Sequence, residues 1–322
     1  MNNVRYDDAQ RDEIRAQYPE LRQQVHKTFG GHYWEADERP FFEVDEQERE
    51  AMIQALWEDG SLRFWVGSFS DLFTDEKVSE AFSKFVADQI RARVDDPATA
   101  EKLIPRDHGF GTRRVPLEVH YFEAYNRDNV TLVDVNEDPI ERVDATGVAT
   151  STTHHDLDIL ICASGFDAAT GAFTAMDIRG RNGRSLGKEW QEQGISNFLG
   201  LQVNGYPNLF MVMGPLSPAA AFCNVPTCSQ QQVEWITDCV SFVRNEGLQA
   251  IEPKVDAEAA WGEHHDEVAG EALVTRTDSW YTGANIEGKP RRLLAYIGGV
   301  PEYQAHCDQE KDSGYARCEL IR

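Results

Sequence analysis

Asp158-Ile159-Leu160-Ile161-Cys162-Ala163-Ser164-Gly165-Phe166-Asp167-Ala168-Ala169-Thr170-Gly171 is the stretch on which the reading of the fold turns. Residues 157–163 form a nearly continuous apolar run, without the alternation expected of a strand that has one wet face. Such a run fits a strand covered on both sides, and Ser164-Gly165 ends it in a tight turn. Strands of that kind sit in parallel sheets between helices, so the stretch predicts an α/β fold. Taken alone, it is equally well a buried strand closed by a glycine turn and nothing more.

Upstream, the periodicity changes character twice. Segments at 131–135, 140–143 and 147–150 are short, rich in β-formers and separated by Asn, Asp, Pro and Gly, which predicts a small antiparallel meander. The first hundred residues read as helices. Ile14, Tyr18, Leu21 and Val25 share a face, Asp45 with Glu48 resembles a capping box, Thr74 precedes the face Val78-Phe82-Phe85, and Asp96-Pro97 puts proline at a first helical position. Downstream, residues 207–215 read as a second buried strand. Val233, Ile236, Val240 and Val243 give a helix stopped by Gly247, completing a strand–loop–helix unit. The expected division is a helical subdomain over 1–108, a segment over 109–163 and a further α/β segment over 164–322.

With 322 residues, 41% of them hydrophobic, the chain is long enough for one large or about two ordinary cores. The 55 acidic residues outnumber the 31 basic ones, giving a formal charge of -24, which argues against nucleic acid or an anionic membrane as a partner. The six cysteines show no metal-type spacing, so they are read as free thiols of a cytoplasmic protein. His264 and His265 are adjacent on a predicted helix and do not share a face, so no metal is expected of that pair, whose setting reads as a solvated acidic face.

Residues 163–167 resemble the A-[TS]-G-[FY]-D hinge of class B flavoprotein monooxygenases. Other matches follow in family order. Arg113-Arg114 and residues 121–130 (YFEAYNRDNV) are similar to the K-R…Y-[YF]-E-x-[YF]-N-R-x-N-V segment of Baeyer–Villiger monooxygenases. Residues 209–215 with Asn224 and residues 233–236, and then residues 278–289 (DSWYTGANIEGK), resemble two later elements, and residues 14–19 and 64–71 resemble the family's helical insert.

The resemblance implies part of a fold with two dinucleotide-binding domains, in which 109–163 ends the NADPH-binding domain and 164–322 is the C-terminal part of the FAD-binding domain. It also implies FAD, NADPH, O2 and a ketone, with one oxygen inserted beside the carbonyl to give an ester or lactone. That chemistry passes through negatively charged states, for which a permanently charged guanidinium is suited, and the resemblance places it at Arg114. Arg113, Trp280, Gly214, Asn224, Val225 and Asp167 fall on the cofactor side; Phe222, Cys223 and Phe64 fall on the substrate side. Glu118 is a junction acid or a plain surface carboxylate.

No G-x-G-x-x-G occurs in the sequence. The nearest approach, Gly109-Phe110-Gly111, has Arg114 where the third glycine belongs. Without that turn a pyrophosphate cannot approach the backbone at a helix N-terminus. The expectation is therefore a C-terminal portion of such an enzyme, completed by a chain supplying the other half or self-associating through open sheet edges. The alternatives are a non-catalytic interaction module and an N- or S-oxygenating flavin monooxygenase.

Overall fold

The computed structural model describes residues 5–219 and 222–322. Helices dominate its first hundred residues. Glu76–Arg91 is amphipathic, burying Val78, Phe82, Ala87 and Ile90, and Asp75 rather than Thr74 caps it by accepting from Lys77 N and Val78 N. Asp96 caps Pro97–Leu103 with proline in its first turn, as the sequence predicts. Asp45 accepts from Gln47 N and Glu48 N at the start of Glu46–Asp59. The reciprocal half of that capping box does not form; Glu48 pairs instead with Arg39 at 3.0 Å. The expected single face from Ile14 to Val25 divides into helices Asp8–Ala16 and Tyr18–Val25, broken at Gln17.

The meander forms from Ile140–Val143, Gly147–Thr150 and His154–Asp156, all antiparallel in sequence order. Residues 131–135 are not one of its strands. The Asp134 carboxylate accepts from Asn136 N, and the Asp134 carbonyl from Glu137 N and Asp138 N, so the chain turns there instead. The remaining sheet pairs Ala250–Pro253 with Cys318–Ile321, also antiparallel.

Neither long apolar run is a strand. Residues 157–163 lie extended and exposed along almost their whole length, ending at an exposed Phe166. A doubly covered parallel strand needs hydrogen-bonding neighbours on both edges and helices on both faces, and none of the described residues supplies them. Residues 207–215 are irregular and half-buried. Their amides make single contacts with a strand, a loop and a side chain rather than a ladder: Asn208 N to Ile251 O, Met211 N to Leu201 O and Met213 N to Gln232 Oε1. The predicted helix after them spans Val225–Asn245. It buries Cys228, Gln231, Gln232, Trp235 and Cys239; of the expected face, Ile236 and Val243 pack partly buried against the core while Val233 and Val240 are exposed.

Two large cores organise the molecule. One gathers Phe41, Phe64, Trp65, Phe69 and Phe82 of the helical region together with Phe222, Tyr281 and Leu293, so the first hundred residues share a core with the C-terminal part. The other joins Trp235, Trp261, Tyr296, Tyr303 and Tyr315. The reading of six free thiols is corrected: Cys223 and Cys228 are disulfide-bonded, leaving Cys162 exposed and Cys239, Cys307 and Cys318 buried as free thiols. A turn at Asn224 brings Cys223 back onto the first turn of the helix, a proximity that linear spacing does not encode. Among the described residues, no helix is long and apolar enough to cross a membrane.

Candidate functional site

The glycines at 109 and 111 serve packing. A Cβ at Gly109 would lie 2.4 Å from Ser79 Oγ, and one at Gly111, where φ is +86°, would lie 3.0 Å from Trp65 Nε1. Ser79 Oγ donates to Phe110 O and Ser83 Oγ accepts from Phe110 N, seating this segment on helix Glu76–Arg91. Trp65 Nε1 donates to Gly111 O at 3.3 Å. Held in this way, the chain sets the Arg114 guanidinium over the Trp65 ring, 5.3 Å from its centroid.

Arg113 turns elsewhere. Its Nε donates to Asp278 O at 3.1 Å and its guanidinium pairs with Asp107 at 2.9 Å, tying the Trp280 loop to the Arg114 segment. Around Arg114 the structure collects Trp65, Tyr281 and Phe222. The Phe222 ring lies 6.4 Å from Trp65, 5.8 Å from Phe73 and 5.6 Å from Tyr281, and half-buried Trp280 rests against Tyr281. Beside them a mainly apolar cleft of about 490 Å³ is lined by Val86, Ile90, Phe110, Arg113, Arg114 and Leu117, among others.

Electrostatics leave Arg114 as the fixed positive charge of this cluster. Burial raises the Tyr281 phenol well above its usual value, with Arg114 opposing, so the phenol stays neutral; its buried hydroxyl has no hydrogen-bond partner among the described residues. Burial, and then the charge of Arg114, lowers the pKa of His32 and favours the neutral ring near pH 7.

The other expected residues are placed as follows. Asn224 is the N-cap of helix Val225–Asn245; its amide donates to Gly30 O at 2.8 Å and its side chain makes no cap bond, while Val225 is exposed. Cys223 is buried in the disulfide. Gly214 lies at a backbone crossing where a Cβ would be 2.3 Å from Gly200 O. Asp167, just past the hinge glycine, is ion-paired with Lys289, and Asn285 Nδ2 donates to Phe166 O, so the 278–289 element anchors the hinge. Glu118 pairs with Arg93 at 2.7 Å. Phe64 is fully buried among Trp57, Phe82, Phe85 and Phe110.

Trp65, Tyr281 and His32 are the additions that only the structure makes. Trp65 and Tyr281 each stand next to a residue singled out in the sequence. Which neighbour faces Arg114 is set by the rotation of a four-residue helix, Arg63–Val66, and by the turn at Ser279, where Ser279 Oγ accepts from Tyr281 N.

The structure thus sets a guanidinium on an aromatic floor, with a helix N-terminus beside Phe222 and Asp167 anchored by Lys289. No family model matches the chain. Individual proteins do: the acetone monooxygenase (methyl acetate-forming) of Gordonia sp. (strain TY-5) is 43% identical over 316 residues, 98% of this chain and 59% of that protein. A Baeyer-Villiger monooxygenase of Pseudooceanicola batsensis is 37% identical over 324 residues, 100% of this chain and 58% of its own length. The crystal structure of cyclohexanone monooxygenase from Rhodococcus sp. Phi1 bound to NADP+ superposes with a TM-score of 0.92 at 37% identity, covering 98% of this chain and 59% of that one. The chain belongs to the Baeyer–Villiger monooxygenase family and spans just under three fifths of the length of these relatives.

Proposed function

We propose that this chain is the portion of an FAD- and NADPH-dependent Baeyer–Villiger monooxygenase that carries the charge-stabilising arginine and the ketone-side walls. The reaction inserts one oxygen of O2 next to a ketone carbonyl to give an ester or lactone. The observation that carries the reading is Arg114, held over Trp65 by the glycine pair and bordered by Phe222 and Tyr281.

The residues present fit the reactive end of a flavin and not its phosphates. Asn224 and Val225 offer a helix N-terminus that favours negative charge, and Trp280 offers a flat apolar face. No G-x-G-x-x-G cradle stands anywhere in the sequence. Bound FAD supplies oxygen activation and NADPH supplies the hydride. The chain's own residues do the rest. Arg114 stabilises negative charge developing on the reacting oxygen atoms, Phe222 and Tyr281 keep water from that side of the carbonyl, and Arg113 positions the Trp280 loop. This reading requires the glycine motifs to be supplied by residues other than these 322.

In the enzyme completed with the glycine motifs, Arg114→Ala abolishes ester formation while NADPH still reduces the flavin. Product is followed by gas chromatography and flavin reduction by stopped-flow absorbance. Unchanged ester yield removes Arg114 from the role. A second reading, favoured by the core that the helical region shares with Phe222, Tyr281 and Leu293, is an interaction module that retains only packing surfaces. In that case the completed complex binds no FAD and shows no flavin absorbance.

A further inference from the structure

His264 lies on helix Val255–Ala269, while Glu302 and His306 lie one turn apart on helix Val300–Asp312. The four-residue spacing puts the latter two on one helix face. One ligand atom from each of the three residues falls within 4.8 Å of the others. The two imidazole centroids are 4.5 Å apart, and His264 Nε2 is 3.8 Å from the Glu302 carboxylate. Buried Trp261 forms the floor, with its ring 5.5 Å from each imidazole. The setting is not the solvated face the sequence suggests. His265 points the other way into the core, its Nε2 3.1 Å from Ala295 O, so only one of the adjacent histidines faces this cluster.

We propose that His264, Glu302 and His306 bind a divalent transition-metal ion of the zinc type. Two imidazoles and one carboxylate are a donor set this class of ion takes, and the exposed Glu302 side leaves room for water or a further ligand. Ligand atoms about 2.1 Å from a tetrahedral ion stand roughly 3.4 Å apart, so from separations within 4.8 Å the cluster closes by up to about 1.4 Å. The half-exposed Glu302 side chain has room to turn toward the ion. Tyr296 hydroxyl, 3.0 Å from His264 Nε2, is the group the ion displaces. The site stands on the core of Trp261, Tyr296 and Tyr303, separate from the aromatic cluster at Arg114.

The full chain, prepared without a histidine tag and stripped with chelator, is titrated with Zn2+ by calorimetry and with Co2+ by absorbance. One tight equivalent is expected. Glu302→Gln and His306→Asn should each weaken it by at least about tenfold, with circular dichroism unchanged. Equal affinity in wild type and the His264→Asn/His306→Asn double variant overturns the proposal, as does the lack of a tight equivalent. A thiolate-to-cobalt charge-transfer band also overturns it by placing the ion at a cysteine, of which Cys162 is the exposed one.

Discussion

Ile159, Ile161 and Phe166, replaced together by serine, should change how this chain associates without changing how stably it folds. In the structure these side chains are 77%, 82% and 89% exposed. Fully burying such a side chain contributes about 1.5–3 kcal/mol, so roughly four-fifths of three of them represents on the order of 4–7 kcal/mol of unrealised burial. Ordering the extended segment and losing rigid-body freedom offset part of that gain on binding. A loss of at least about a hundredfold in association constant remains as the expected effect. The assay is sedimentation velocity, on the chain alone and mixed with a chain carrying the family's glycine motifs, beside thermal unfolding by circular dichroism. Wild type should self-associate or pair, and the variant should sediment as a monomer with an unchanged melting temperature. If wild type stays monomeric at tens of micromolar in both experiments, the run is not a docking edge. A melting temperature several degrees lower in the variant would instead show that these side chains are already buried in the chain itself.

Gly214→Ala should destabilise the fold by about 1–3 kcal/mol, because the new methyl meets a backbone oxygen at Gly200 that no rotamer change can move away; an unaltered denaturant midpoint would contradict so tight a crossing. His265 is buried, and burial lowers its pKa below 6.5. Its unfolded form therefore binds more protons at acid pH, so its contribution to stability is complete above 6.5 and is lost as pH falls from there through the lower folded value. His265→Gln, which can still donate to Ala295 O, should flatten stability between pH 7 and 5, and parallel wild-type and variant curves would refute that role. Alkylation of the unfolded chain followed by mass spectrometry should label four cysteines without reductant and six with it; six labels without reductant would rule out the Cys223–Cys228 bond.

Much of the outline follows from local rules that need no partner. Asp96-Pro97 starts a helix because cap and proline act within one turn, and the period of Val78, Phe82 and Phe85 needs only a core somewhere to face. The hairpin of Ile140–Val143 and Gly147–Thr150 is legible because its strands are close in sequence, whereas 131–135 turns instead and His154–Asp156 takes the third place. The same rules err where stability must come from elsewhere. The run at 157–163 carries the composition of a doubly covered strand, but composition cannot provide neighbours, and the segment stays extended and exposed. The helix at Val225–Asn245 was legible, yet its buried side was not: both Val233–Val240 and Cys228–Cys239 run along a face, and only the surrounding chain decides which is covered.

By itself, then, the sequence determined the family and the helical first hundred residues, because ordered motifs and helical periods are written in linear spacing, while Arg114 remains a proposal that the resemblance makes. Tertiary structure alone decided that Trp65 rather than Phe64 lies beneath that arginine, that Gly109 and Gly111 seat a helix and an indole, and that Cys223 joins Cys228. It alone also brought His264 to Glu302 and His306 from a helix far away in sequence. The physical reason is common to all of these: each depends on which of several chemically equivalent side chains is turned toward a distant segment, and that rotation is fixed by packing between elements rather than by propensity within one.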